Sequence, residues 1–131
     1  MNAIAKGTFT VKLAALAFEG QADASKLGRM SIDKQLAGDL VATTQGQMLS
    51  AMTATRGSAG YVALERVDGT LHGRRGSFVL QHTGTMTRGT PALSVSVVPD
   101  SGSGELTGLS GDFNIIVADG KHSYEFNYSL A

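Results

Sequence analysis

Glu65 and His82 stand on either side of the dipeptide His72-Gly73, each within a stretch that alternates apolar and polar residues. Glycine accepts the positive φ of a tight hairpin turn, so the chain is expected to reverse at His72-Gly73. In that register Glu65 faces Leu80, Ala63 faces His82 and Val67 faces Phe78. Glu65 and His82 then become diagonal neighbours on one side of the sheet, about 7–8 Å apart at the backbone. One face carries Tyr61, Ala63, Glu65, Val67, Phe78, Leu80 and His82, and the other carries Val62, Leu64, Arg66, Asp68, Ser77, Val79 and Gln81. A carboxylate and an imidazole on an apolar, aromatic face are costly to bury unless they pair, and pairing displaces their proton affinities. This is the raw material of acid–base chemistry: Glu65 orients or deprotonates His82, or acts itself as the base, while Tyr61 hydrogen bonds to a ligand. The same residues also suit a buried Glu–His or Glu–Arg pair that only satisfies a barrel core or a subunit interface, which is the commoner use of such pairs.

Other polar residues near this turn carry weaker signals. Arg74 and Arg75 could clamp a carboxylate or phosphate, but neighbours on a strand point to opposite faces, which favours solvent-facing charges. Ser77 lacks a G-x-S-x-G elbow and is a poor candidate nucleophile, though Ser77, Arg74 and Phe78 stand beside the turn as candidate ligand contacts. The run Ser101-Gly-Ser-Gly104 has the look of a phosphate cradle without the Lys-Ser/Thr of a P-loop, and reads as a flexible turn. The 3 histidines, His72, His82 and His122, are widely separated, so no metal site is expected. No motif calls for a cofactor, and none is expected.

Composition narrows the classes. A chain of 131 residues can bury a core as one domain without disulfides or a structural metal. Eleven basic residues balance 11 acidic ones, which leaves no field to concentrate nucleic acid or anionic lipid. The absence of cysteine removes disulfides, thiolate metal sites and cysteine nucleophiles. Near the start, Lys6, Thr8, Thr10 and Lys12 interrupt the apolar run that a signal peptide needs, and the longest such run is Leu13 to Phe18. That is far short of the roughly 20 residues that cross a bilayer as a helix, so a cytoplasmic protein without membrane contact is expected.

Seventeen glycines with only 2 prolines point to a sheet protein with many tight turns. Phe9, Val11 and Leu13 alternate with Thr8, Thr10 and Lys12 in a first strand, and Glu19 to Ser25 reads as a loop. Leu27 to Gln35 is a second strand. Leu36 to Met52 is read as a third, since Thr43, Thr44, Gly38 and Gly46 all weigh against a helix. Tyr61 to Leu71 and Arg74 to Met86 form the hairpin already described, and Ala92 to Val98 is a further strand. Pro99 to Gly111 is expected to be a long loop with one helical turn at Glu105 to Leu109. A last hairpin turns at Asp119-Gly120 and places Phe113, Ile115, Val117, Tyr124, Phe126 and Tyr128 on one face with His122 at its end, more as core than as a ligand platform. About eight strands with little helix predict an all-β protein, an antiparallel sheet closed into a barrel, with a sandwich as the alternative.

The segments Gly60-Tyr-Val-Ala-Leu-Glu-Arg66, Gly73-Arg-Arg-Gly-Ser-Phe-Val-Leu-Gln-His82 and Val97-Val-Pro-Asp-Ser-Gly-Ser-Gly-Glu-Leu106 resemble those of a family of small bacterial proteins, DUF3224, along nearly the whole chain. The resemblance implies an eight-stranded antiparallel barrel similar to that of allene oxide cyclase, and it implies no activity. Glu65, Arg74, Ser77 and His82 match recurring elements of the family pattern, while Asp100 occupies a position where the pattern has glycine.

Three functions fit these residues. The foremost is a barrel that binds a small apolar or amphipathic molecule, with Tyr61, Glu65 and His82 fixing its orientation. The second is an isomerase or cyclase that uses Glu65 and His82, and the third is a structural module whose barrel is filled by its own side chains. Because both faces of the central hairpin are apolar, the outer one is expected to be covered in a homo-oligomer.

Overall fold

The computed structural model describes residues 2–18 and 27–131. Nine strands follow in order: β1 (Asn2–Leu16), β2 (Leu27–Gly38), β3 (Leu40–Met52), β4 (Ala59–Leu71), β5 (Arg74–Thr87), β6 (Thr90–Val97), β7 (Ser103–Gly104), β8 (Leu109–Ala118) and β9 (Lys121–Leu130). All pairings are antiparallel. The sheet runs β4-β3-β2-β1-β9-β8-β6-β5, and β5 pairs back onto β4, closing an eight-stranded barrel. The short β7 adds to β5 at Gly76 and Ser77, just beyond the segment that pairs with β6. Closure gives each of the eight barrel strands a neighbour on both sides, which removes the long open edges that an unclosed sheet would offer as templates for aggregation.

The hairpins are set by turn chemistry. His72 and Gly73 have φ of 45° and 81°, and Asp119 and Gly120 have 53° and 73°, the paired left-handed conformations that match the twist of the flanking strands. Glu65 does face Leu80 and Ala63 does face His82. A third turn of the same kind, Arg88-Gly89 with φ of 44° and 90°, joins β5 to β6; arginine is not a residue that advertises such a turn. Leu36 to Met52, read as one strand, divides at Gly38, whose φ is 104°, into the end of β2 and all of β3. No helix occurs among the described residues: Glu105–Gly108 is a run of turns, so the helical turn expected there is absent and β8 begins at Leu109. Asp100 adopts a φ of 62°, the conformation that glycine would take most easily at that position. The loop read at Glu19 to Ser25 lies outside the described residues.

Alternation along each strand sends one set of side chains into the lumen. At the end where the turns His72-Gly73 and Gly38-Asp39 lie, these side chains fill the barrel: Leu40, Leu71, Leu80, Leu106, Phe78, Phe113, Tyr124, Phe126 and Tyr128 are all buried. Phe78 stacks on Phe126 and Phe113 on Tyr124, with ring centroids 5.7 and 5.2 Å apart. The last hairpin therefore contributes core, as expected, except that Val117 near its tip is 63% exposed. Toward the opposite end the inward-phase residues Leu13, Met86 and Leu93 are also substantially exposed, so this end is open among the described residues.

Tyr124 locks the filled end. Its hydroxyl accepts a hydrogen bond from the Leu40 amide at 2.9 Å and donates to the Ala37 carbonyl at 2.8 Å, joining β9 to the β2–β3 turn over Gly7 of the intervening β1. Leu40 is fully buried, so no water can replace that acceptor. Tyr124→Phe is expected to lose about 1–3 kcal/mol of stability, read as a lower urea midpoint with an unchanged slope.

Candidate functional site

Midway along the lumen, where the apolar filling stops, four polar side chains form one chain of contacts. Glu65 on β4 sits opposite Gly46 on β3, where a Cβ would lie 2.3 Å from the Leu64 carbonyl and 2.8 Å from the Glu65 Cα. Only glycine lets β3 approach this closely, so the acid is pressed into the barrel. Glu65 is 1% exposed, and its Oε1 accepts hydrogen bonds from His82 Nε2 at 2.8 Å and Lys34 Nζ at 3.2 Å. Lys34 arrives from β2, in the inward phase it shares with Ile32 and Leu36, and its ammonium also lies 5.0 Å from the centre of the Phe9 ring. On the other side, His82 Nδ1 meets the Tyr61 hydroxyl at 3.1 Å. Tyr61 faces Gly84, where a Cβ would come within 2.4 Å of the tyrosine ring; the missing side chain is the notch that seats it.

The electrostatics follow from burial and pairing. Burial is the strongest influence on Glu65 and pushes its carboxyl up. The hydrogen bond from His82, the Lys34 ammonium and the nearby Thr44 hydroxyl together outweigh it, and hold the carboxyl at about 2 against an ordinary value of 4.5. Glu65 is therefore an ionised carboxylate, and the Lys34 ammonium balances its charge. Burial, and then the Glu65 charge, push the Tyr61 phenol up, so Tyr61 is a neutral hydroxyl. Glu65 Oε2 is buried with no hydrogen-bond partner among the described residues.

Above this relay the lumen widens into a cavity of about 350 Å³ lined by Met48, Ser50, Ala59, Tyr61, Gly84, Met86, Pro91 and Leu93 among others. Tyr61 is the one member of the relay that reaches it. The arrangement is an apolar mouth over a polar floor, and the imidazole beneath is oriented by a carboxylate as acid–base sites require.

The structure brings Tyr61, Glu65 and His82 together. It places the remaining candidates elsewhere. Phe78 belongs to the packed core at the filled end. Ser77 lies on the outer side under β7, its hydroxyl 2.6 Å from that of Ser103. Arg74 follows the turn at the filled end, near enough to Tyr128 to act on its phenol. Lys34 was missed because it lies two strands away from Glu65 in the sheet; the available signal was a charged residue in the apolar phase of its strand. His72, read as a turn residue, also contacts the Tyr128 hydroxyl through Nδ1 and lies 3.6 Å from Asp39 through Nε2. No group of three or more metal-ligating side chains occurs among the described residues, and no helix among them is long and apolar enough to cross a membrane.

Fold and site together define a closed antiparallel β-barrel, packed at one end, with a buried carboxylate–imidazole–phenol relay beneath an apolar mouth. Residues 5–128 match the family described as a protein of unknown function, DUF3224, and the chain belongs to that family. It is similar to a crystal structure of a DUF3224 protein with unknown function from Shewanella oneidensis MR-1, with 50% identity over 100% of this chain and 98% of that one and a TM-score of 0.94. No curated protein matches.

Two measurements check the relay. A carboxyl held below its ordinary value stabilises the fold fully above about pH 4.5 and loses that contribution as pH falls toward about 2. The native chain should therefore lose stability over that window more steeply than Glu65→Gln in thermal melts at stepped pH, and parallel curves would show that Glu65 is not ionised in the fold. Lys34→Met should cost about 3–5 kcal/mol in urea unfolding because it strips a buried carboxylate of its counter-charge, whereas the double change Lys34→Met with Glu65→Leu should recover a large part of that loss.

Proposed function

We propose that this protein binds a small, mainly apolar molecule in the open end of its barrel, with the Tyr61 hydroxyl as the polar contact. The observation that carries this reading is that a relay of buried groups, Lys34–Glu65–His82, ends on a tyrosine at the base of an apolar cavity. A core that needed only to be filled would be cheaper to build from hydrocarbon, since replacing a buried ion pair with apolar residues is often neutral or stabilising. Spending stability on an oriented phenol makes sense where its hydroxyl meets something that enters and leaves.

The test is a thermal-shift and calorimetric screen of apolar small molecules against the native chain. Saturable binding that raises the melting midpoint is expected, because a ligand held by the native state alone stabilises it. Leu93→Lys, which places a charge in the mouth, should abolish that shift, and binding undiminished by it would put the ligand elsewhere.

The second reading is an isomerase or cyclase of the same ligand. What favours it is the oriented imidazole, with Nε2 on a carboxylate and Nδ1 on a hydroxyl, an arrangement suited to moving a proton. Under this reading Glu65→Gln retains binding and loses conversion of a bound compound, followed by mass spectrometry; under the binding reading no conversion occurs in either protein.

Assembly belongs to the same proposal. Leu49 on β3 faces Val62 on β4, and these two with Leu64 form a half-exposed apolar stripe on the outer wall. Such stripes commonly mark contact surfaces, which favours self-association through this face. Light scattering should find an oligomer that Leu64→Glu dissociates.

A further inference from the structure

We infer that the open end of the barrel takes a ligand that carries an aromatic ring, gripped by the thioethers of Met48 and Met86 and by the ring of Tyr61. This rests on the reading of that end as a ligand site, and deepens it by naming the class of molecule selected there.

The chain has 5 methionines. Apart from Met1, each lies in the inward phase of its strand and in the open half of the lumen: Met30 pairs with Met48, Met48 with Ala63, and Met52 and Met86 both face Ala59. The packed core at the other end is built from Leu, Phe, Val, Tyr and Ala without one methionine among the described residues. Ala59 and Ala63 stand on either side of Tyr61 on the inner face of β4, so the thioether chains of the flanking strands find space beside its ring. Met48 and Met86 line the cavity of about 350 Å³ together with Tyr61.

Leucine would supply the same apolar volume with its shape fixed in advance. What methionine adds is an adaptable chain and a polarizable sulfur that is attracted to the edge of an aromatic ring, each such contact adding about twofold to tenfold in affinity. Tyr61 offers a third contact of this kind. Its ring is tilted 56° to that of His82 and is only partly buried, and an incoming ring packs on it offset or edge-on, as aromatic pairs prefer. A saturated ring of the same size buries a comparable apolar area and gains neither contact. The volume agrees, since a cavity of about 150 Å³ already holds benzene. Polar groups do not decide the choice: the Ser50 hydroxyl opposite Tyr61 and the Thr85 hydroxyl stand at the same cavity, so a ligand oxygen finds donors and acceptors alike, and selection falls to the rest of the molecule.

The experiment titrates 2-phenylethanol and 2-cyclohexylethanol, alcohols that differ only in the ring, into the native chain and into the double variant Met48→Leu with Met86→Leu, a volume-conserving change whose folding is verified by circular dichroism. Binding is followed by NMR of the methionine methyl groups and the Tyr61 ring. The ratio of the two affinities is set against the ratio of their partition from water into alkane, which removes the difference in hydrophobicity between the rings. Relative to partition, the native chain should favour the phenyl compound about tenfold, and the double variant, left with Tyr61 alone, about threefold. The phenyl compound, and not the cyclohexyl one, should also move the Met48 and Met86 methyl signals upfield through its ring current; these shifts are read in the native chain and hold even where the variant does not fold. A native ratio equal to that of partition, a ratio unchanged in the double variant, or methyl signals unmoved by the phenyl compound would overturn the aromatic preference and leave the ligand site standing. Binding of neither alcohol at any accessible concentration would overturn both.

Discussion

A charge held where water cannot reach it must be met by groups of the protein, and Glu65 imposes that constraint on this barrel. Its oxygen collects an ammonium from β2 and an imidazole from β5, so strands that do not touch each other in the sheet are tied across the lumen. Burial alone would favour the protonated acid; the two donors reverse that preference and fix the carboxylate as an anion. The orientation of His82 and the proton on its Nε2 follow from this one anchoring, and Nδ1 is thereby turned toward the Tyr61 hydroxyl.

The position of the relay divides the barrel. On one side the lumen is filled by stacked aromatic rings and sealed by Leu71 and Leu106, with the Tyr124 hydroxyl pinning a turn. On the other, residues of the same inward phase stand partly in solvent around a cavity. Rigid packing below and, among the described residues, an apolar opening above are what a site needs if its polar group is to be held while its contents exchange. Two glycines make this possible by what they lack: Gly46 lets the acid press inward, and Gly84 leaves a notch for the tyrosine ring.

Much of this was legible in the residues. The period of two along Tyr61 to Leu71 and Arg74 to His82, with a glycine turn between, places Glu65 and His82 side by side on one face, and the structure has that register. Turns written in Asp-Gly or His-Gly were readable, while Arg88-Gly89 was not, because arginine takes a left-handed conformation there only under the demands of the flanking strands. The division of Leu36 to Met52 at Gly38 was hidden for a related reason: a glycine marks a possible bend without saying whether the chain reverses.

The amino-acid order by itself determined strands, faces and the nearest pairings, because these depend on side-chain alternation and on turns of a few residues. Tertiary structure alone decided that the Glu65 face is the interior, that Lys34 comes across to complete the relay, and that Phe78, Ser77 and Arg74 lie with the filled end or its outer wall rather than with the open mouth. Alternation is a local property and is blind to height along the axis of a barrel. Which rung is filled and which is open depends on how far the strands are staggered when the sheet closes, and that is settled by all eight strands at once.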